Sequence, residues 1–135
     1  MKLGNTKIDA GNITFALQYR ALMPDQGVSL QVASCADGEE KELLRFDCFD
    51  QRPHYHYDPE DKNLHYDMDQ TTAGNAVGWT LTQLRTRLPE MLKKAGFEDI
   101  ASKLDCPLVL NKLDQVEEAA RYMAQKQRRT VTHNR

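Results

Sequence analysis

Chemistry in this chain concentrates at residues 52–69, which hold three of its four histidines, His54, His56 and His65, beside Arg52, Asp67 and Asp69. Imidazoles titrate near neutral pH, and a carboxylate next to one of them fixes its tautomer and raises its basicity. Two histidines and a cation are the minimal equipment for cleaving RNA. One imidazole takes the 2′-hydroxyl proton, one protonates the leaving oxygen, and Arg52 steadies the phosphate. On this reading His54 and His56 are the acid/base candidates, His65 is their partner, and Asp67 orients an imidazole. The same His54, His56, His65 and Asp67 also form a ligand set for a divalent metal such as zinc, because His-x-His puts two ligands on one face of a strand. A third reading needs neither: a polar solvent face of an edge hairpin, or a protein-contact surface, since charged edges discourage aggregation.

These readings depend on which side chains share a face. Two alternating runs, His54-Tyr55-His56-Tyr57 and Leu64-His65-Tyr66-Asp67-Met68-Asp69, flank a turn rich in Asp, Pro and Asn, which predicts a β-hairpin. A turn centred between Glu60 and Asp61 pairs Tyr57 with Leu64, His56 with His65, Tyr55 with Tyr66 and His54 with Asp67. One face then collects Tyr55, Tyr57, Leu64, Tyr66 and Met68. The other collects Arg52, His54, His56, His65, Asp67 and Asp69. A slip of one residue would put imidazoles beside Leu64 and Met68 and spoil both faces. Pro53 marks a break or an edge position.

The flanking chain predicts what holds the hairpin. Ile13, Phe15, Leu17 and Tyr19 alternate with polar residues, the pattern of a half-buried strand. Val28, Leu30 and Val32 predict a second strand, and 42–49 a third, joined by a turn at Asp37-Gly38. Leu44, Phe46 and Cys48 are expected in the core, with Leu43, Arg45, Asp47 and Phe49 on the other face. From Thr71 the period changes. Residues 71–78 read as a loop in which Gly74 and Gly78 make no phosphate-cradling motif. Thr80 and Gln83 have capping-box spacing, and Leu81, Leu84, Leu88, Met91, Leu92 and Ala95 recur at helical spacing up to Gly96. Pro89 predicts a kink or two short helices. A short helix near 98–104 and a longer one capped at Asn111 follow, the latter with Leu113, Val116, Ala120 and Met123 on one face. Trp79 is read as a staple between helix and sheet, Cys48 as an inert core thiol, and His133 as part of a frayed end.

Composition sets the frame. At 135 residues, 40% hydrophobic and 28% charged, the chain has the profile of one globular domain. No apolar run approaches the roughly 18–20 residues that span a bilayer, and the first residues lack a secretory stretch. Three cysteines without a CxxC fit reduced thiols in the cytoplasm. Net charge is only −2, but acids crowd residues 37–69, whereas Arg121, Lys126, Arg128, Arg129 and Arg135 close the chain with no acid among them. Arg121, Lys126, Arg128 and Arg129 are candidate contacts for a partner protein or nucleic acid; cations also suit a helix C-terminus.

The order of features over 13–69, with Asp37-Gly38, Tyr55-His56-Tyr57 and Leu64-His65-Tyr66-Asp67, resembles the TumE-like toxin components of bacterial toxin–antitoxin pairs. That resemblance covers about half of the chain. No Pro-His-His follows Tyr66-Asp67, and the helical half from Trp79 has no counterpart. It implies a small α+β protein encoded beside a partner and acting on RNA, with His56, Tyr66 and Asp67 as the matching positions.

Together these readings predict a single α+β domain over 1–135, with 1–12 and 129–135 as tails. An antiparallel sheet of four to five strands at residues 12–69 is expected, with two or three C-terminal helices on one face. The leading function is a bacterial toxin-like or defence-associated RNA-acting protein without a cofactor. A binding subunit docked on a larger protein, encoded by a neighbour, is the alternative, and a metal-binding domain is the third. No membrane is involved in any of them.

Overall fold

Among the described residues, six strands follow one another in an antiparallel meander: β1 (Thr6–Ala10), β2 (Ile13–Leu22), β3 (Asp25–Ala36), β4 (Glu39–Phe49), β5 (His54–Tyr57) and β6 (Leu64–Asp67). Three helices come after them among the described residues, α1 (Ala76–Lys94), α2 (Glu98–Ser102) and α3 (Cys106–His133). The structure is a computed structural model and describes residues 2–36, 38–69 and 75–133. The architecture is α+β, strands first and helices after, as the change of period at Thr71 predicts.

The sheet has six strands rather than four or five, because β1 lies in the segment read as a tail. Ala10 pairs with Ile13 across Gly11-Asn12, a two-residue turn, with Gly11 at φ 78°. Glycine reaches that left-handed region without penalty, and Gly-Asn is a hairpin signal. Ile8 is the one large apolar residue in β1, too little for an alternation to show. At the other end of the chain, α3 continues to His133 through residues also read as a tail. Gly38, at φ 81°, serves the β3–β4 connection; Asp37 lies outside the described residues, as do 70–74.

One face of the sheet is apolar and carries the helices. Leu17, Leu30, Phe46, Tyr55 and Tyr66 stand side by side across five strands, and Phe15, Val32, Leu44, Tyr57 and Leu64 form the next row. Phe15, Leu17, Leu30, Leu44 and Phe46 are fully buried against Leu81, Leu84, Leu88, Met91 and Leu92 of α1 and Leu113, Val116 and Ala120 of α3. Each such side chain contributes roughly 1.5–3 kcal/mol by leaving water. Trp79 tilts against Tyr55 at 5.3 Å, so it does staple α1 to the sheet. Leu43, expected on the other face, is skipped where the β3–β4 register shifts and is buried as well.

The helices depart from expectation at their starts. α1 begins at Ala76, so Thr80 is no cap; its hydroxyl lies 3.4 Å from the Cys48 thiol, which burial pushes up to about 12. The helix runs through Pro89 as one element, and Gly96 at φ 100° closes it. α3 begins at Cys106, and Asp105 caps it by accepting the Leu108 N–H at 3.2 Å, with Pro107 in the first turn. Asn111 is therefore interior. No described helix is long and apolar enough to cross a membrane.

Candidate active site

On the face away from the helices, two rows of side chains cross the strands. Gln18, Ser29, Asp47, His54 and Asp67 form one, and Ala16, Gln31, Arg45, His56 and His65 the other. The β5–β6 pairing is the one that hydrophobic consistency selects: Tyr57 with Leu64, His56 with His65, Tyr55 with Tyr66 and His54 with Asp67. The six-residue connection 58–63 sets this register. Asp58 and Asn63 take left-handed φ of 52° and 49°, and the Asp58 carbonyl accepts the N–H groups of Asp61 and Asn63. Asx residues tolerate that conformation better than other side chains.

Three imidazoles thereby meet. Ring centroids lie 5.1 Å apart for His54 and His56, 4.7 Å for His54 and His65, and 4.9 Å for His56 and His65. Beneath them is Asp47 of β4, its side chain 2% exposed. Its Oδ1 accepts from the Ser29 hydroxyl at 2.8 Å and Arg20 at 3.3 Å. Its Oδ2 meets Nε2 of His54 at 3.1 Å, Nε2 of His56 at 3.4 Å and Nε of Arg45 at 3.4 Å. Burial pushes the Asp47 carboxyl up, but His54, His56, Ser29 and Arg45 outweigh it and hold it far below the usual carboxylate range.

His54 has an acceptor at each nitrogen. Nδ1 lies 2.8 Å from the Arg52 carbonyl oxygen, which can only accept, and Nε2 faces Asp47. Both nitrogens therefore carry hydrogen, and the bond to Asp47 raises its pKa above the ordinary 6.5 against the opposing effect of burial. His65, exposed on β6, moves the other way: burial and then the charges of His54 and His56 lower it. His56 is buried, with Nδ1 2.8 Å from Asn63 Oδ1. The site thus sets an imidazole held toward its charged form beside one held toward its neutral form, the first anchored on a buried carboxylate.

The carboxylate that orients an imidazole is Asp47, not Asp67. Asp67 shares the row opposite His54 but is exposed and acts on His65 through its charge. Arg52 stands at the rim, exposed, and its main chain does the holding. Period-two parity put Arg45 and Asp47 on the side of β4 away from its core residues; what it could not give is the pairing of β4 with β5 that brings them to the histidines. Glu42, buried at the same face, bonds to Gln31 at 2.7 Å and Arg45 at 3.2 Å, and burial raises its pKa.

Of the basic residues toward the end of α3, Arg121 lies away from this site. Arg121 bonds to Glu117 at 2.8 Å and lines a cavity of about 370 Å³ with Tyr19, Val28, Cys48 and Asn75, on the helix side of the sheet. Lys126 lies over Tyr122, and the side chains of Arg128 and Arg129, like that of His133, are outside the described residues. A divalent ion would find His54, His56 and His65 with ligand nitrogens within 4.8 Å of one another, a set that suits zinc. Both nitrogens of His54 and of His56 already face a partner, so a metal bond would displace one contact of each ring.

A family model described as a domain of unknown function, DUF7700, matches residues 7–120. The chain belongs to the DUF7700 family. The DUF7700 match runs from β1 into α3 and contains all of Asp47, Arg52, His54, His56, His65 and Asp67, whereas Arg121 and Lys126 fall beyond it. No curated protein and no solved structure matches the chain.

Proposed function

We propose that this chain is a metal-independent acid–base catalyst that cleaves RNA, acting in the cytoplasm as a toxin-like or defence-associated protein. One observation carries the reading: His54 has acceptors at both nitrogens, while His65, 4.7 Å away and open to solvent, is held toward its neutral form. Such a split supports an acid and a base role for the pair. His65 takes the 2′-hydroxyl proton, the oxygen attacks the adjacent phosphorus, and the P–O5′ bond breaks. His54 gives the leaving 5′ oxygen a proton from Nε2, at the cost of its bond to Asp47. Arg52 and the His54 charge stabilise the extra negative charge on phosphorus. His56 is tied to Asn63 and Asp47 and serves as support. A neighbour-encoded protein partner would dock at β6, a sheet edge with a strand on one side only.

The test is cleavage of a mixed-sequence RNA by protein purified without a histidine tag, in the presence of chelator. A 2′,3′-cyclic phosphate end and a loss of about 10²–10⁴-fold in rate for His65→Ala support the reading. Unchanged cleavage in both His54→Ala and His65→Ala would defeat it. The trio of nearby ligand nitrogens favours a second reading, a zinc-class site; stoichiometric metal in the purified protein and loss of activity to chelator would mark it out.

A further inference from the structure

Asp25 lies at the start of β3, away from the imidazoles, yet its carboxylate is spent on the segment that leads into β5. Oδ1 accepts the N–H groups of Gln26 at 2.9 Å and Gln51 at 3.0 Å, and Oδ2 accepts that of Arg52 at 2.8 Å. Two further bonds join the same segments: Asp50 N–H to the Gln26 carbonyl at 2.9 Å and the Gln51 side-chain amide to the Pro24 carbonyl at 3.1 Å. On its far side the segment is fixed by Met68 N–H donating to the Pro53 carbonyl at 3.0 Å.

The residue at the end of this clamp, Arg52, is the one whose main chain also holds His54. The Arg52 N–H goes to Asp25, and the Arg52 carbonyl, on the same residue, accepts from Nδ1 of His54. Asp47 receives the other imidazole nitrogen. We infer that Asp25 is a positioning residue for the histidine site: through the Arg52 main chain it fixes which nitrogen of His54 is bonded inward and where the Arg52 side chain stands. Although burial pushes the Asp25 carboxyl up, the N–H groups of Gln51, Arg52 and Gln26 outweigh it, so the clamp is a carboxylate at neutral pH. A clamp of this kind touches no substrate; it sets the orientation of a group that does. Its catalytic meaning rests on the acid–base reading above, whereas its effect on His54 does not.

Asp25→Asn separates the two carboxylate oxygens. The amide oxygen can still accept from Gln26 and Gln51, but the amide nitrogen faces the Arg52 N–H with another donor. The experiment is imidazole ¹⁵N NMR through a pH titration of the full chain, comparing wild type, Asp25→Asn, Asp25→Ala and Gln51→Ala, with near-ultraviolet circular dichroism to verify the fold. In Asp25→Asn and Asp25→Ala the protected Nδ1–H signal of His54 is expected to vanish and its titration midpoint to fall toward 6.5. Gln51→Ala keeps the Asp25–Arg52 bond and is expected to leave both unchanged. Wild-type His54 signals in a folded Asp25→Asn protein would overturn the inference, as would a Gln51→Ala shift of equal size, since the turn as a whole would then be responsible. Should Asp25→Ala fail to fold, Asp25→Asn decides alone. A shifted His54 in a protein that never cleaves RNA would sink the catalytic reading and leave the clamp standing.

Discussion

Oδ2 of Asp47 sits 3.1 Å from Nε2 of His54, joining a nearly inaccessible carboxylate on β4 to an imidazole on the adjacent strand. Asp47 also receives Ser29, Arg20 and Arg45, so one acid neutralises much of the positive charge on this face. Removing it strands those donors. Asp47→Ala is expected to cost about 3–5 kcal/mol, the usual penalty for leaving one side of a buried charge pair without its partner. Urea denaturation measures this. A loss below 1 kcal/mol would show that the network is peripheral to stability.

Activity should depend on pH as a bell around neutrality. The base, His65, works deprotonated, and its lowered pKa places the acid limb below 6.5. The acid, His54, works protonated, and its raised pKa places the basic limb above 6.5. Rate against pH on RNA checks this; a single sigmoid would remove one of the two groups from the chemistry.

Stability carries the same signs. The raised His54 contributes stability that is full below 6.5 and lost as pH rises through its folded value. The depressed Asp47 contributes stability that is present above 3.8 and lost as pH falls toward its folded value. The denaturation midpoint is therefore expected to drop on acidification below 3.8, and this drop should be smaller in Asp47→Asn than in wild type.

Asn63 separates backbone from side-chain effects in the hairpin. Its φ of 49° suits glycine, and its Oδ1 lies against His56. Asn63→Val should destabilise by about 1–2 kcal/mol more than Asn63→Gly, because the branched residue resists the left-handed region. Asn63→Gly should keep the fold and change the environment of His56 alone, as NMR of its ring will show.

Phe46 tests the apolar face. It is fully buried and stacks on Tyr55 at 5.8 Å, on the opposite face of the strands that carry the site. Phe46→Ala is expected to cost about 3–5 kcal/mol. A cost near 1 kcal/mol would mean that the helices seal this row loosely.

The histidine hairpin was legible because two alternating runs around six turn residues admit one register that keeps Tyr55, Tyr57 and Tyr66 away from the imidazoles. The three-histidine cluster followed from parity alone. Asp47 did not. Its place beside His54 depends on β4 pairing with β5 across 50–53, a segment that carries Pro53 and no two-residue turn, and that is pinned by Asp25 from a third strand. β1 escaped for a different reason: it buries little of its own, and tertiary pairing with β2 overrides its weak pattern. The helix starts were missed because Asn75 makes no side-chain cap bond and Thr80 is drawn inward by Cys48.

The meander has a consequence for biosynthesis. Each strand finds its partner among immediate chain neighbours, so the whole imidazole row is present once residue 67 has left the ribosome. α1 and α3, which cover the opposite side, are made after the strands. For that interval Phe15, Phe46 and Tyr55 have nothing over them, and a nascent sheet with a bare aromatic side is a natural client for chaperones.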